Sequence, residues 1–213
     1  LLFSENLSRQ TAFYFMVINE DLLLQYGADE IDYYADEFLF EENSPPKNYF
    51  QIKKGRVKLN NYHEDGKEFI HSLPSAGHCI GETFLFSEKY YPLNAVTMED
   101  CRILKLDKNK FYEMIDHHPK LLYDLYSFTA DRMYYRYKML NSLSEANPVS
   151  KLRGLMDCLK QYYDTEQPYS YQIPFTRQQM ASLTGLRIET VIRAVKKMEK
   201  ENIVKIQNRK IFY

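Results

Sequence analysis

The sequence holds little that could bind a metal, cross a membrane or form a disulfide framework. Its three cysteines, Cys79, Cys101 and Cys158, are odd in number and far apart. No two have metal-ligand spacing, so they read as small buried residues of a reducing cytoplasm. The five histidines do no better. His117 and His118 are neighbours that diverge on a helix, and His71 and His78 stand alone, so no metal site is expected. No apolar run is long enough to span a bilayer. Leu1-Leu2-Phe3 gives way at once to Ser4-Glu5-Asn6, which is not the pattern of a secretory leader. Nucleophile and base at motif spacing are missing, as is a Gly-rich phosphate loop. Internal repeats and low-complexity tracts are missing too. These absences argue against an enzyme, a metalloprotein and a membrane protein.

What is present is a chain of 213 residues, 45% of them hydrophobic, enough for real cores in one or two domains. Charge is unevenly spread. From Thr176 to Tyr213 there are nine Lys and Arg against three Asp and Glu, a net of +6, within a chain whose total is −1, so the preceding residues carry −7. A basic end on an acidic body suggests a polyanion partner for that end alone. A solvated helical surface would show the same excess.

Three zones follow one another. To about Pro119, turn residues (Asn43-Ser44-Pro45-Pro46, Gly55, Glu64-Asp65-Gly66, Ser75-Ala76-Gly77, Gly81) separate short β-rich runs such as Tyr49–Ile52, Val57–Leu59, Phe69–Leu73 and Ile103–Leu106. Short strands at this spacing predict a small antiparallel sandwich or barrel, with helices over Leu1–Tyr26. From Lys120 to about Ala146 there is no Gly or Pro, and the stretch is long for a globular helix. Leu122, Tyr126, Thr129, Met133, Arg136, Leu140 and Leu143 follow a coiled-coil spacing interrupted at Thr129 and Arg136. This predicts a dimer helix, or else a helix lying on its own sandwich. Asn147-Pro148 breaks the chain. Beyond it are expected a helix over Ser150–Tyr163, a polar aromatic loop over Asp164–Tyr171, two more helices and a hairpin.

The last zone carries the strongest signal. Thr176 to Gly185 reads as a short helix with an N-cap threonine and a terminating glycine. Leu186-Arg187 makes a turn, and Ile188–Lys200 is a second helix whose Val191, Ala194, Val195 and Met198 form a buried stripe. Arg187, Glu189, Ile192, Arg193, Lys196 and Lys197 are left outside. Glu189 and Arg193 stand four apart, as a G·C-reading pair would, Arg donating to guanine and Glu accepting from cytosine. An intrahelical salt bridge accounts for the same spacing, and the two are compatible, since such a bridge can hold both side chains ready. Lys205–Tyr213 reads as strand, turn, strand, with a basic tip at Asn208-Arg209-Lys210.

Thr176–Arg193, with Thr-Arg-Gln-Gln, the Gly185 turn and Glu-Thr-Val-Ile-Arg, resembles the helix-turn-helix of the Crp/Fnr family of bacterial regulators. The resemblance extends over nearly the whole chain. Gly55, Gly66, Gly77 and Gly81 fall at turn positions of that family's cyclic-nucleotide-binding β-roll. Asn43 stands where another glycine is usual, a position asparagine tolerates.

The resemblance implies an α+β protein: an N-terminal antiparallel, jelly-roll-like β-roll with flanking helices over 1–118, a long dimerisation helix and hinge over 119–147, and a winged helix-turn-helix over 148–213. It implies a cytoplasmic homodimer on a palindromic DNA operator, with RNA polymerase as a further partner. Glu189 and Arg193 would contact bases. Ile188, where the cyclic-AMP receptors carry another base-contacting arginine, would shift the half-site towards that of the oxygen-sensing branch. Thr176, Arg177, Gln178, Arg187, Thr190, Lys196, Lys197, Arg209 and Lys210 are the candidate phosphate contacts.

For the effector pocket the resemblance points to Gly81, Glu82, Tyr91, Arg136 and Tyr137. Gly81-Glu82 matches the phosphate-binding cassette, but the stretch from Glu88 to Asn94 has no arginine for the cyclic phosphate, and Tyr91-Pro92 falls near the expected Arg-Ser or Arg-Thr. A buried phosphate without a cation is costly, so cyclic AMP is not expected to bind in the usual way. Lys89 could substitute only after a loop shift. Arg136 falls where the dimer helix of the cyclic-AMP receptors faces the ligand's base, and an arginine bridging to the other subunit explains it equally. An iron–sulfur sensor needs an N-terminal cysteine cluster that is missing, and His78-Cys79 is a weak haem ligand pair. No cofactor is called for, and the effector is unknown. Two rivals stand beside this expectation: a constitutive DNA binder with a vestigial pocket, and a nucleotide-sensing module that does not bind DNA.

Overall fold

The computed structural model describes residues 16–87, 89–162 and 167–213. It divides into two compact units, one ending at Asp131 and one running from Arg132 to Tyr213. Much of the expected Leu1–Tyr26 helical segment, and Asp164–Glu166 of the expected loop, lie outside the described residues. Among the described residues no helix is long and apolar enough to cross a membrane, and no three His, Cys, Asp or Glu side chains gather to hold a metal.

The first unit contains helix α1 (Glu20–Gln25) and strands β1 (Asp29–Tyr33), β2 (Phe38–Phe40), β3 (Asn48–Lys54), β4 (Val57–Tyr62), β5 (Glu68–Ser72) and β6 (Cys79–Ile80). Helix α2 (Glu82–Leu85), strands β7 (Asn94–Thr97) and β8 (Cys101–Asp107), helix α3 (Lys108–His117) and the start of α4 (Lys120–Ser144) complete it. The strands form two antiparallel four-stranded sheets, ordered β1-β8-β3-β6 and β2-β7-β4-β5.

Side-chain parity explains why β3 is buried at four successive residues. Successive strand residues point to opposite faces. Phe50 and Ile52, with Ile80 and Ile103 beside them, face the other sheet and its Val57, Leu59 and Ala95. Tyr49, Leu104 and Leu106 face outward and are covered by Phe111, Met114 and Ile115 of α3 and Leu125 of α4. The first sheet is therefore covered on both sides.

Gln51 shares the outward face and is fully buried, so both ends of its amide need partners. Its Oε1 accepts from the Ile18 amide at 3.0 Å and the Tyr49 hydroxyl at 2.6 Å, and its Nε2 donates to the Ile18 carbonyl at 2.7 Å. The turn residues match expectation as well. Asn43 has φ +64°, the left-handed conformation a glycine would otherwise supply.

The second unit holds the remainder of α4, then α5 (Pro148–Tyr162), α6 (Arg177–Thr184), α7 (Ile188–Lys200), β9 (Lys205–Gln207) and β10 (Lys210–Phe212). Helix α5 begins two residues earlier than the pattern predicts. Asn147 Oδ1 accepts from the Val149 amide at 2.9 Å, and its carbonyl accepts from Lys151. That leaves Pro148 at the first helical position, where a missing N–H costs nothing. Gly154 lets α5 approach α4 closely: a Cβ there would lie 2.2 Å from Ser142 Oγ.

The hairpin gains a neighbour that the sequence did not announce. Gln172 bridges to Phe212, and the Ile173 amide donates to the Ile211 carbonyl at 2.8 Å.

Along α4, one side packs and the other does not. Leu125 is buried, whereas Leu122, Tyr126, Met133 and Leu140 of the coiled-coil spacing are 42 to 77% exposed.

Candidate nucleic-acid interface and effector pocket

Helix α6 starts at a full capping box. The Thr176 hydroxyl accepts from the Gln179 amide at 3.1 Å, and Gln179 Oε1 accepts from the Thr176 amide at 2.9 Å. These two bonds satisfy donors the helix cannot pair internally. The helix ends at Gly185 with φ +68° and ψ +12°, a left-handed turn open to glycine at no steric cost. Leu186 and Arg187 then lead into α7. Arg187 is its N-cap and makes no side-chain capping bond, while Glu189 in the first turn suits the positive end of the helix dipole.

The buried face of α7 is Val191, Ala194, Val195 and Met198, the stripe read from the sequence. Four buried apolar side chains of this size stabilise the packing by several kcal/mol (roughly 1.5–3 kcal/mol for each large one). That fixes which residues face out. Glu189, Arg193, Lys196 and Lys197 are exposed, and Ile192 is 41% exposed. Glu189 and Arg193 are one turn apart, and among the described residues no ion pair joins them. The ion pair present on α7 is Lys197 with Glu201, at 3.8 Å. The salt-bridge reading of the Glu189–Arg193 spacing is therefore not the arrangement found, and both side chains are presented outward. Lys200 is exposed on the same face, and its seven-residue spacing from Arg193 marks it.

The other candidates distribute around this face. Thr190 and Ile188 are half-buried; Arg187 and Gln178 are exposed. Arg209 and Lys210 are exposed on the hairpin, and Arg177 is half-buried because its guanidinium donates to the Arg209 carbonyl. That bond ties the start of α6 to the hairpin tip. The turn itself is Asn208-Arg209 alone, since Lys210 already pairs with Gln207. Both turn residues have positive φ, 49° and 64°.

In the first unit, Gly81, Glu82 and Tyr91 come together. Gly81 has φ +74° and caps α2. A Cβ there would meet Phe40 at 3.0 Å and Tyr91 at 3.1 Å. Glu82 is buried, and so is Tyr91, which stacks on Phe40 with ring centroids 3.8 Å apart. Burial, and next the Glu82 carboxylate, push the Tyr91 hydroxyl well above the ordinary tyrosine range. The Asn61 side chain donates to the Pro92 carbonyl at 3.0 Å. Lys89 is exposed, its amide donating to Ser87 Oγ. Arg136 and Tyr137 are exposed on α4 and belong to the second unit.

Comparison with known proteins places these two regions in known families. Residues 30–118 match the cyclic nucleotide-binding domain, and residues 152–212 match the Crp-like helix-turn-helix domain. The cAMP-activated global transcriptional regulator CRP of Haemophilus influenzae is 27% identical over 174 residues, covering 81% of this chain and 78% of its own. A c-di-GMP responsive global regulator, CLP, of Xanthomonas campestris shares the fold with a TM-score of 0.74 at 16% identity, over 90% of this chain and 96% of its own. A CooA variant of Carboxydothermus hydrogenoformans gives a TM-score of 0.72 at 21% identity, over 100% and 93% of the two chains.

Proposed function

We propose, from the premise that this chain belongs to the Crp/Fnr family of transcription regulators and binds DNA in a sequence-specific way, that it does so with the outward face of α7. Glu189 and Arg193 read a G·C step there, with Ile188 beside them. Thr176, Arg177, Gln178, Arg187, Thr190, Lys196, Lys197, Arg209 and Lys210 hold the phosphates, which fixes register without reading sequence. The observation that carries this reading is the exposure of Glu189 and Arg193, one turn apart on a helix whose opposite face is buried.

The regulator acts as a cytoplasmic homodimer. The exposed Leu122, Tyr126, Met133 and Leu140 of α4 are the apolar stripe a second copy covers. Two recognition helices about one helical turn apart then meet a palindromic operator, and RNA polymerase is the partner beyond DNA. The functional segments are the sensor roll over 1–118, the dimer helix over 119–147 and the winged domain over 148–213. Relatives differ in effector, one being cAMP-activated and another c-di-GMP responsive, so family membership does not name one here. The stretch from Glu88 to Asn94 has no arginine, and Tyr91-Pro92 stands near the place where the family holds the cyclic phosphate, which argues against cyclic AMP bound in the usual way.

The test is selection of binding sites from random duplex DNA, followed by titration of Glu189→Ala and Arg193→Ala. Each should lose about 1–3 kcal/mol of discrimination at one base pair of each half-site. Equal losses on selected and scrambled duplexes would refute the base-reading roles. Failure to recover any preferred sequence would refute the operator itself.

A further inference from the structure

Tyr91 is held from every side. Its ring lies face to face on Phe40, the planes 11° from parallel, and edge-on to Phe84 at 5.6 Å. It is 1% exposed, and Gly81 passes so close that one added carbon would press on both Phe40 and Tyr91. Its amide donates to the Ser44 carbonyl at 3.0 Å, and its carbonyl accepts from the Asn43 amide at 2.8 Å. Packing of this kind is filled volume, not a side chain waiting for a ligand. The hydroxyl points the same way. It is buried with no hydrogen-bond partner among the described residues, so the ring, not the polar group, accounts for the residue's placement.

We propose that Tyr91 is a built-in ligand: its ring, stacked on Phe40, fills the place beside Gly81 and Glu82 that the phosphate-binding cassette would give to an effector's sugar and phosphate, so DNA binding by this chain does not wait for a small molecule. The inference rests on reading the chain as a Crp/Fnr regulator whose Gly81-Glu82 marks the cassette. The ring occupies that space, and the stretch from Glu88 to Asn94 has no arginine to hold an anion in its place. The space that truncation would open has the shape and chemistry of phenol.

The experiment uses the full chain as wild type, Tyr91→Ala and Tyr91→Phe, with thermal melts and with titration onto a duplex recovered by selection. Loss of the ring from a packed site should lower the melting temperature of Tyr91→Ala by roughly 10 °C. Apolar cavities made in this way take up small aromatics, so about 10 mM phenol should recover at least a third of that loss and leave the wild type unmoved. DNA affinity should fall roughly tenfold in Tyr91→Ala, return with phenol, and stay within about twofold of wild type in Tyr91→Phe. Cyclic AMP should leave wild-type affinity unchanged.

Three results would overturn the proposal: phenol acting equally on wild type and Tyr91→Ala, a tenfold loss in Tyr91→Phe, or a rise in DNA affinity with cyclic AMP. If Tyr91→Ala fails to fold, Tyr91→Phe and the cyclic AMP titration decide. If the wild type binds no DNA, the regulator reading fails, and rescue of the melt by phenol still decides whether the ring is a stand-in.

Discussion

Consider replacing Arg209, at the second place of the β9–β10 turn, by glycine. Asn208 and Arg209 both have positive φ between the paired Gln207 and Lys210, the two-residue turn in which Asn-Gly is the preferred sequence. An arginine in that conformation costs about 1–2 kcal/mol. Glycine removes the cost and gives back about 0.4–1 kcal/mol through the freer unfolded chain. The net is a gain of about 0.5–1 kcal/mol, or a rise of about 1–4 °C in a chain of this size. Arg177 grips the turn through the Arg209 carbonyl, so that tie survives the substitution.

DNA binding should move the other way. Removing a cation that neutralises a phosphate weakens binding to every sequence alike and flattens the log–log salt dependence by about 0.9 per phosphate. Calorimetry and anisotropy titrations across salt, on selected and scrambled duplexes, read the two effects separately. Arg209→Asn, which also tolerates the left-handed conformation, should follow Arg209→Gly in both. A fall in melting temperature would refute the turn argument. An unchanged salt slope, or a weakening confined to one sequence, would refute the phosphate role.

Gly81→Ala combines a left-handed backbone with crowding against Phe40 and Tyr91. It should cost about 2–5 kcal/mol by chemical denaturation, and a cost below about 1 kcal/mol would mean that the rings yield. Gly154→Ala should destabilise by about 1–2 kcal/mol despite alanine's helix propensity, because its Cβ meets Ser142. Adding Ser142→Gly should relieve that crowding in a double-mutant cycle. Glu99 bonds the Arg56 guanidinium at 3.1 Å, which holds its carboxyl below the ordinary value of 4.5. A depressed folded value gives stability that is present above about pH 4.5 and is lost as the pH falls through the folded value. Both groups are half-exposed, so the effect is a few tenths of a kcal/mol at most. Melts of wild type and Glu99→Gln should differ near pH 6 and converge as the pH falls below the folded value.

What could be read in the sequence was local. The α7 stripe, the Thr176 cap, the Gly185 turn and the left-handed Asn43 each follow from a few neighbouring residues, and each is found in the structure. Pairing across distance was not legible. The Gln172–Phe212 bridge joins residues forty apart, and nothing near Gln172 alternates like a strand. The basic run Asn208-Arg209-Lys210 does not reveal where pairing resumes, so the turn is shorter than the run suggests. The division at Asp131 falls inside an unbroken helix, with no Gly or Pro to mark it. The Glu189–Arg193 spacing fits both a salt bridge and a reading pair, and whether the bridge forms depends on side-chain placement. The resemblance names Tyr91 for the pocket, near a missing arginine; that it fills the space itself depends on Phe40, which lies some fifty residues away in the chain.

The amide of Gln51 has a practical consequence for anyone who shortens this protein. It holds Ile18 by both backbone groups, so Ile18, two residues before α1, is stitched to the sheet. A fragment cut beyond Ile18 would strand the buried Nε2 of Gln51, at about 1–3 kcal/mol, in the sheet that both cores share, while its Oε1 keeps the Tyr49 hydroxyl. The smallest intact sensor fragment must therefore keep Ile18.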